Sequence, residues 1–269
     1  MAYLLTIDEE PCGQFAALEG LAGELPTLAG GRGPFLSFSD GRLEGSLRRW
    51  AASQDRGVAN RGVGEVRVFA DGGPSPCGVH LGAIQPIIAF GADPDGSVDE
   101  VVLRAPQLVP VPQHAQEFWH DWTRRPPLAK ERWVGLTTPQ RRALLWVSRM
   151  VSEPGHRGVL PERWVIDGRT VLDAPSLFLA IGEALAGPGG YVGADLDGLS
   201  DCLIDWDMPA EGSTLTWDCE TYARKALDRE QWRREVWRLG FDDPPGNCLL
   251  SAVNAVLENR GVLVTPKPG

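Results

Sequence analysis

The stretch Gly187-Pro-Gly-Gly-Tyr191-Val-Gly193-Ala-Asp195-Leu-Asp197-Gly-Leu199-Ser-Asp201-Cys-Leu203-Ile-Asp205-Trp206 decides how this chain is read. A glycine-rich loop gives way to Asp195, a short acceptor suited to the exposed amides at a helix start. Beyond it Leu196, Leu199 and Leu203 recur at intervals of three and four, which marks one apolar helix face. Asp197, Asp201 and Asp205 are spaced by four and stack roughly opposite the leucines. Asp197 suits the helix dipole. Asp201 and Asp205 lie toward its negative end and repel their neighbours by about a few tenths of a kcal/mol per pair. With Tyr191 before this face and Trp206 after it, carboxylates can steer an encounter while aromatic anchors supply burial. A binder of a basic pocket would present such a face.

Outward from this helix the charge stays one-sided. The 54 residues between Arg169 and Arg224 hold ten carboxylates and no Lys, Arg or His, a net of −10 that equals the formal charge of all 269 residues. Just upstream, Arg124, Arg125, Lys130, Arg132, Arg141, Arg142 and Arg149 face one acid, Glu131. Separation on this scale marks an interaction surface, and an acidic chain is repelled by the phosphate backbone that dominates nucleic-acid affinity. Direct nucleic-acid binding is not expected.

Strand and helix signals alternate around the acidic helix. Trp164 to Ile166 reads as a strand and Asp167-Gly168 as a turn; Asp173 caps a helix with Pro175 just inside and Leu177, Ile181 and Leu185 on one face. Thr214 to Trp217 is a second strand, Arg224 to Leu239 a basic helix, Leu249 to Asn259 an apolar helix closed by Gly261, and Val262 to Thr265 a last strand. Strands separated by helices call for a small parallel sheet.

The first part of the chain is patterned differently. Tyr3 to Ile7, Glu65 to Ala70, Val79 to Phe90 and Val98 to Leu103 are strand candidates, with turns at Asp71-Gly-Gly-Pro and Asp93-Pro-Asp-Gly and one helix around Leu43 to Ser53. A Pro-rich passage leads into a Trp-rich segment from Gln113 to Arg132, then a helix that Thr138 would cap, with Leu144, Val147 and Val151 on one face; Ser152 to Gly158 reads as a linker. The expected organisation is a β-rich domain of unknown function over 1–112, a basic, Trp-rich helical connector over 113–158 and an α/β domain over 159–269.

Five scattered cysteines without a Cys-x-x-Cys read as reduced thiols. The longest apolar runs are too short for a membrane span, and the opening Met1-Ala-Tyr-Leu-Leu-Thr-Ile-Asp lacks a basic leader region, so a cytoplasmic protein is expected. The four histidines form no metalloprotease pattern, Gly187 to Gly193 lacks the Lys and hydroxyl of a phosphate loop, and Asp195-x-Asp197 and Asp93-x-Asp95 lack the glycine and terminal Glu of a calcium loop. Acids on one exposed face lack the contrasting environments that separate a general acid from a base. No enzyme, metal or cofactor is expected.

Trp164-Val-Ile-Asp-Gly, then Val171, Leu177 and Ile181, then Tyr191 to Leu203 with Trp206 three residues on, closely resembles the barstar family of intracellular inhibitors of barnase-type ribonucleases, over about residues 163 to 266. The resemblance implies a three-stranded parallel sheet with helices. It also implies a nuclease-contacting surface made of Tyr191, Asp197, Asp201 and Trp206, its approach shaped by the loop ending at Gly193. A last-helix carboxylate of the family falls on Val256 when counted back from Gly261, and Glu258 is the nearest acid. Ser200 stands where the family usually carries a tryptophan, and residues 221–247 exceed the family's connection in length. The expected partner is a barnase-type ribonuclease or an RNase toxin domain. The alternative is a non-inhibitory regulatory or scaffolding protein whose acidic helix docks on its own basic segment or on another basic partner.

Overall fold

The structure is a computed structural model that describes residues 2–19, 35–53, 61–70, 73–74, 79–105, 111–124, 129–152, 158–228, 230, 232–233 and 248–267. The chain divides into two compact units, Met1–Arg125 and Pro126–Gly269.

The first unit is an antiparallel sheet of seven strands: β1 (Ala2–Ile7), β2 (Glu10–Glu19), β3 (Phe35–Leu43), β4 (Arg61–Ala70), β5 (Gly73–Pro74), β6 (Val79–Phe90) and β7 (Ser97–Arg104). Their order is β1-β2-β3-β7-β6-β4-β5, and β1 also pairs with β4, from Ala2 opposite Phe69 to Ile7 opposite Gly64. Six strands therefore close into a barrel, which removes the free edges that an open sheet would leave. Tyr3, Leu5, Phe15, Phe38, Val66, Leu81 and Val101 are buried in it. Helix α1 (Gly45–Ser53) follows β3, and α2 (Ala115–Arg124) is tied to the barrel by Gln116, whose side-chain amide donates to Tyr3 Oη at 2.8 Å and to the Leu18 carbonyl at 2.6 Å.

Four of these strands match the sequence pattern. β2, β3 and the two-residue β5, which falls within the expected Asp71-Gly-Gly-Pro turn, do not, for local reasons. β3 contains Ser39-Asp40-Gly41 with Asp40 at φ +50°, which is turn chemistry inside a strand. The burial of β2 does not alternate strictly, and its pairing with β1 slips between Leu5 and Thr6. Asp93 to Gly96 is a turn as expected: the Gly96 amide donates to the Asp93 carbonyl at 2.9 Å and the Ser97 amide to Asp95 Oδ1 at 2.9 Å. Asp71 and Gly72 lie outside the described residues.

The second unit is built on a three-stranded parallel sheet, β8 (Arg163–Asp167), β9 (Ser213–Asp218) and β10 (Val262–Lys267), with β9 in the middle. Its helices are α3 (Thr138–Val151), α4 (Ala174–Ala186), α5 (Leu196–Ile204), α6 (Glu220–Ala226) and α7 (Leu249–Asn259). Strand alternation puts Trp164, Ile166, Leu215 and Trp217 in the core, while Val165 and Leu263 are exposed on the other face. Trp217 Nε1 donates to Asn254 Oδ1 of α7 at 3.0 Å, and Trp164 Nε1 to Ser213 Oγ at 3.0 Å, so both buried indoles are satisfied. The mixed α/β fold with a small parallel sheet agrees with the sequence pattern.

Two expected elements differ in detail. Thr137, not Thr138, caps α3: the Gln140 side-chain oxygen accepts from the Thr137 amide and hydroxyl, both at 2.9 Å, while the Thr138 hydroxyl donates to Asp173 at 2.7 Å. The expected basic helix is interrupted: α6 begins at Glu220 and stops at Ala226, Leu227 and Asp228 leave helical geometry, and Glu230, Trp232 and Arg233 are helical again; the other residues of its expected span beyond Asp228, and residues 153–157 of the expected linker, lie outside the described residues.

Helix α3 belongs to the second unit and packs along α4. Arg141 is buried and grips Asp173, the N-cap of α4, with Nη2 to Oδ2 at 2.7 Å and Nε to both carboxylate oxygens at 2.9 and 3.0 Å. Burial by itself would raise the Asp173 pKa; the Arg141 guanidinium, the Thr138 hydroxyl and the Ser176 amide overcome it and hold the carboxyl below the usual carboxylate range. Upstream, Trp133 Nε1 donates to the Thr170 carbonyl at 3.2 Å, and the Glu131 amide donates to the Glu183 carboxylate, whose pKa burial pushes up.

Candidate functional site

The site is assembled at the start of α5. α4 ends at Ala186 with Gly187 at φ +82°, and the chain folds straight back on the helix it has left. A Cβ at Gly182 would lie 2.3 Å from the Gly190 carbonyl oxygen, so glycine at 182 is what lets the loop sit on α4. Val192 is fully buried and anchors the loop; Tyr191 beside it is half-buried, and burial pushes its hydroxyl pKa up to about 12 against the pull of Arg149.

Gly193 is the hinge between loop and helix. It has φ +111°, and a Cβ there would lie 2.3 Å from the Leu199 amide nitrogen. Gly193→Ala is expected to destabilise the unit by at least about 1–3 kcal/mol and to shift Tyr191 relative to α5. Chemical denaturation of the variant measures the first effect and tyrosine fluorescence the second.

Asp195 caps α5, its Oδ1 accepting from the Gly198 amide at 2.7 Å. Leu199 and Leu203 are buried, and Asp197, Asp201 and Asp205 are all exposed, so the two faces expected from the spacing are present. Trp206 follows in a turn, half-buried, its ring over Gly158, where a Cβ would come within 2.7 Å of it. The structure thus places Tyr191, Gly193, Asp197, Asp201 and Trp206 on one continuous loop, helix and turn. Glu258 is exposed on α7, the helix that packs against α5, and Val256 is half-buried there.

Two arginines from elsewhere in the unit approach this helix, which the absence of nearby cations in the sequence did not suggest. Arg260, just past α7, donates to the Ser200 carbonyl at 3.5 Å, a long contact. Arg149, exposed near the end of α3, is close enough to act on Tyr191 and on Cys202, whose thiol pKa is raised first by burial and then by Asp201 and Asp205. Both are far from the aspartates of α5 in sequence. Only packing could reveal them.

A third contribution lies just before the region of family resemblance. Val159 forms a parallel bridge with Asp207; the Asp207 amide donates to the Gly158 carbonyl and the Leu160 amide to the Asp207 carbonyl, both at 2.9 Å. This short pairing holds the turn that carries Trp206. Among the described residues no group of three or more His, Cys, Asp or Glu is placed to hold a metal ion, and no helix is long and apolar enough to cross a membrane.

Residues 162–238 match the model of a protein family described as Barstar (barnase inhibitor). The match lies in the C-terminal part of the chain and includes the loop, α5 and the Trp206 turn; α3 and the bridging segment at Val159 precede it. No curated protein and no solved structure matches the chain.

Proposed function

We propose that the second unit binds and inhibits a basic ribonuclease, the cell's own secreted enzyme or a toxin domain, by placing α5 across its active site. The observation that carries this reading is the exposed carboxylate row Asp197, Asp201 and Asp205, presented by a capped helix in a region matched to an inhibitor family. A ribonuclease cleft holds phosphates with Arg, Lys and His. Asp201 pushed into such a cleft accepts charge-assisted hydrogen bonds where a phosphate would sit, and Asp197 one turn earlier strengthens the field that steers the approach. Tyr191 and Trp206 add packing on either side, with Gly193 setting the angle of the loop and Glu258 as a candidate at the rim. The inhibitor blocks without chemistry and needs no cofactor, and the site of action is the cytoplasm.

A second reading draws on Arg149, whose charge in the basic segment pulls the pKa values of Tyr191 and Cys202 down. In it the protein is a scaffold whose acidic helix is engaged by its own cations. The buried Arg141–Asp173 pair argues that part of the basic segment serves architecture instead. Inhibition of a panel of purified barnase-type ribonucleases by the full chain, at low and high salt, separates the two. Inhibition that weakens with salt supports the first, and an Arg149→Ala variant that binds better than wild type would favour the second.

A further inference from the structure

We propose that Ile204 and Val159, on either side of Trp206, form an apolar strip that continues the acidic face and buries against an apolar ridge bordering the partner's basic cleft. The proposal rests on the inhibitor reading above and adds the kind of surface the partner must present.

Ile204 lies three residues beyond Asp201 and four beyond Ser200, so it shares their face of α5 one turn further on. It is 64% exposed, while Leu199 and Leu203 already fill the inner face, so the core does not require it. Val159 is 61% exposed. The bridge to Asp207 and the stacking of Trp206 on Gly158 bind that segment to the same turn. A single exposed aliphatic residue on a surface means little. Here two exposed β-branched side chains, which lose little rotamer freedom on burial, belong to the two segments joined at the turn of an aromatic anchor.

The charge around the strip defines its occupant. Asp201, Asp205, Asp207 and Glu211 lie within seven residues of Ile204 in the chain, all exposed, so a neutral apolar peptide gains nothing from the field and a second copy of this acidic segment is repelled. A basic protein with an apolar ridge fits both features. Ser200 offers little apolar area at the middle of the face, and Ile204 supplies it one helical turn, about 5.4 Å, further along. The partner's ridge is displaced to match.

The experiment uses the full chain, the same panel of purified barnase-type ribonucleases, and affinities at low and high salt for wild type, Ile204→Ser/Val159→Ser and Asp201→Ala. The double variant is expected to bind about ten-fold or more weakly with an unchanged salt dependence, since no charge is altered, whereas Asp201→Ala weakens binding and flattens the salt dependence. Thermal unfolding of the double variant should match wild type, because both side chains are exposed. Binding within about two-fold of wild type in the double variant, with Asp201→Ala still damaging, overturns the strip and leaves the inhibitor reading standing. A nuclease bound in a way sensitive to the strip but not to Asp201 keeps the strip and overturns the acidic-helix mechanism. No nuclease bound by wild type overturns both.

Discussion

Asp201→Ala is expected to raise the inhibition constant against the cognate ribonuclease by about two to three decades or more, and to leave a residual interaction that depends little on salt. Asp201 sits in the middle of the exposed carboxylate row, between Asp197 and Asp205, where in the proposed docking a cleft would close over it most completely. A carboxylate removed there leaves the nuclease cations desolvated without a partner, which costs about 3–5 kcal/mol for a buried pair, and each 1.4 kcal/mol is a factor of ten. Asp205 at the helix end serves as the internal comparison: near the rim its loss should change the association rate and the salt dependence more than the lifetime of the complex. Steady-state inhibition and stopped-flow association at two ionic strengths measure both. Equal effects of the two substitutions would deny Asp201 its central place.

Arg141→Met is expected to destabilise the second unit by about 3–5 kcal/mol at neutral pH, through the carboxylate it strands. Asp173 would keep only the Thr138 hydroxyl and the Ser176 amide inside a buried site. The effect depends on pH with a definite sign. In the folded protein the Asp173 pKa lies below its ordinary value, so the stabilisation it brings is fully present above the ordinary carboxylate range and is lost as pH falls through the depressed value. The gap between wild type and variant, read from urea midpoints, should therefore be widest near neutrality and narrow as pH falls below the ordinary carboxylate range. A gap that widens in acid would contradict the assigned ion pair. For the same reason a fragment of residues 159–269, which lacks α3, exposes Asp173 and one flank of α4. It is expected to unfold at lower denaturant than residues 126–269, and a failure of the shorter fragment to inhibit would say nothing about α5.

The candidate site was largely legible in the chain because its elements are local. Asp195 as cap, Leu199 and Leu203 inward, Asp197 and Asp201 outward, and Trp206 in the following turn all lie within one loop and helix, where spacing sets direction. The barrel was less legible. Its closure depends on Ala2 finding Phe69 across most of the first unit, and β3 carries a turn-like Ser39-Asp40-Gly41 that local patterning assigns to a loop. The cap of α3 was hidden for a related reason: the hydroxyls of Thr137 and Thr138 look alike in sequence, and Asp173, 35 positions away, claims the second.

Sequence by itself determined the two faces of α5, the concentration of carboxylates around it, the alternating strands of the small parallel sheet and the resemblance that points to a nuclease partner. Those are properties of spacing and composition, which act within a few residues. Tertiary structure decided which charges are occupied and what else stands at the site. Arg141 is tied to Asp173, Arg149 and Arg260 approach the acidic helix from either side of it in sequence, and Val159 reaches the Trp206 turn across 48 residues through its bridge to Asp207. Such partners are chosen by how helices and strands pack against one another, and packing joins residues that the order of the chain keeps apart.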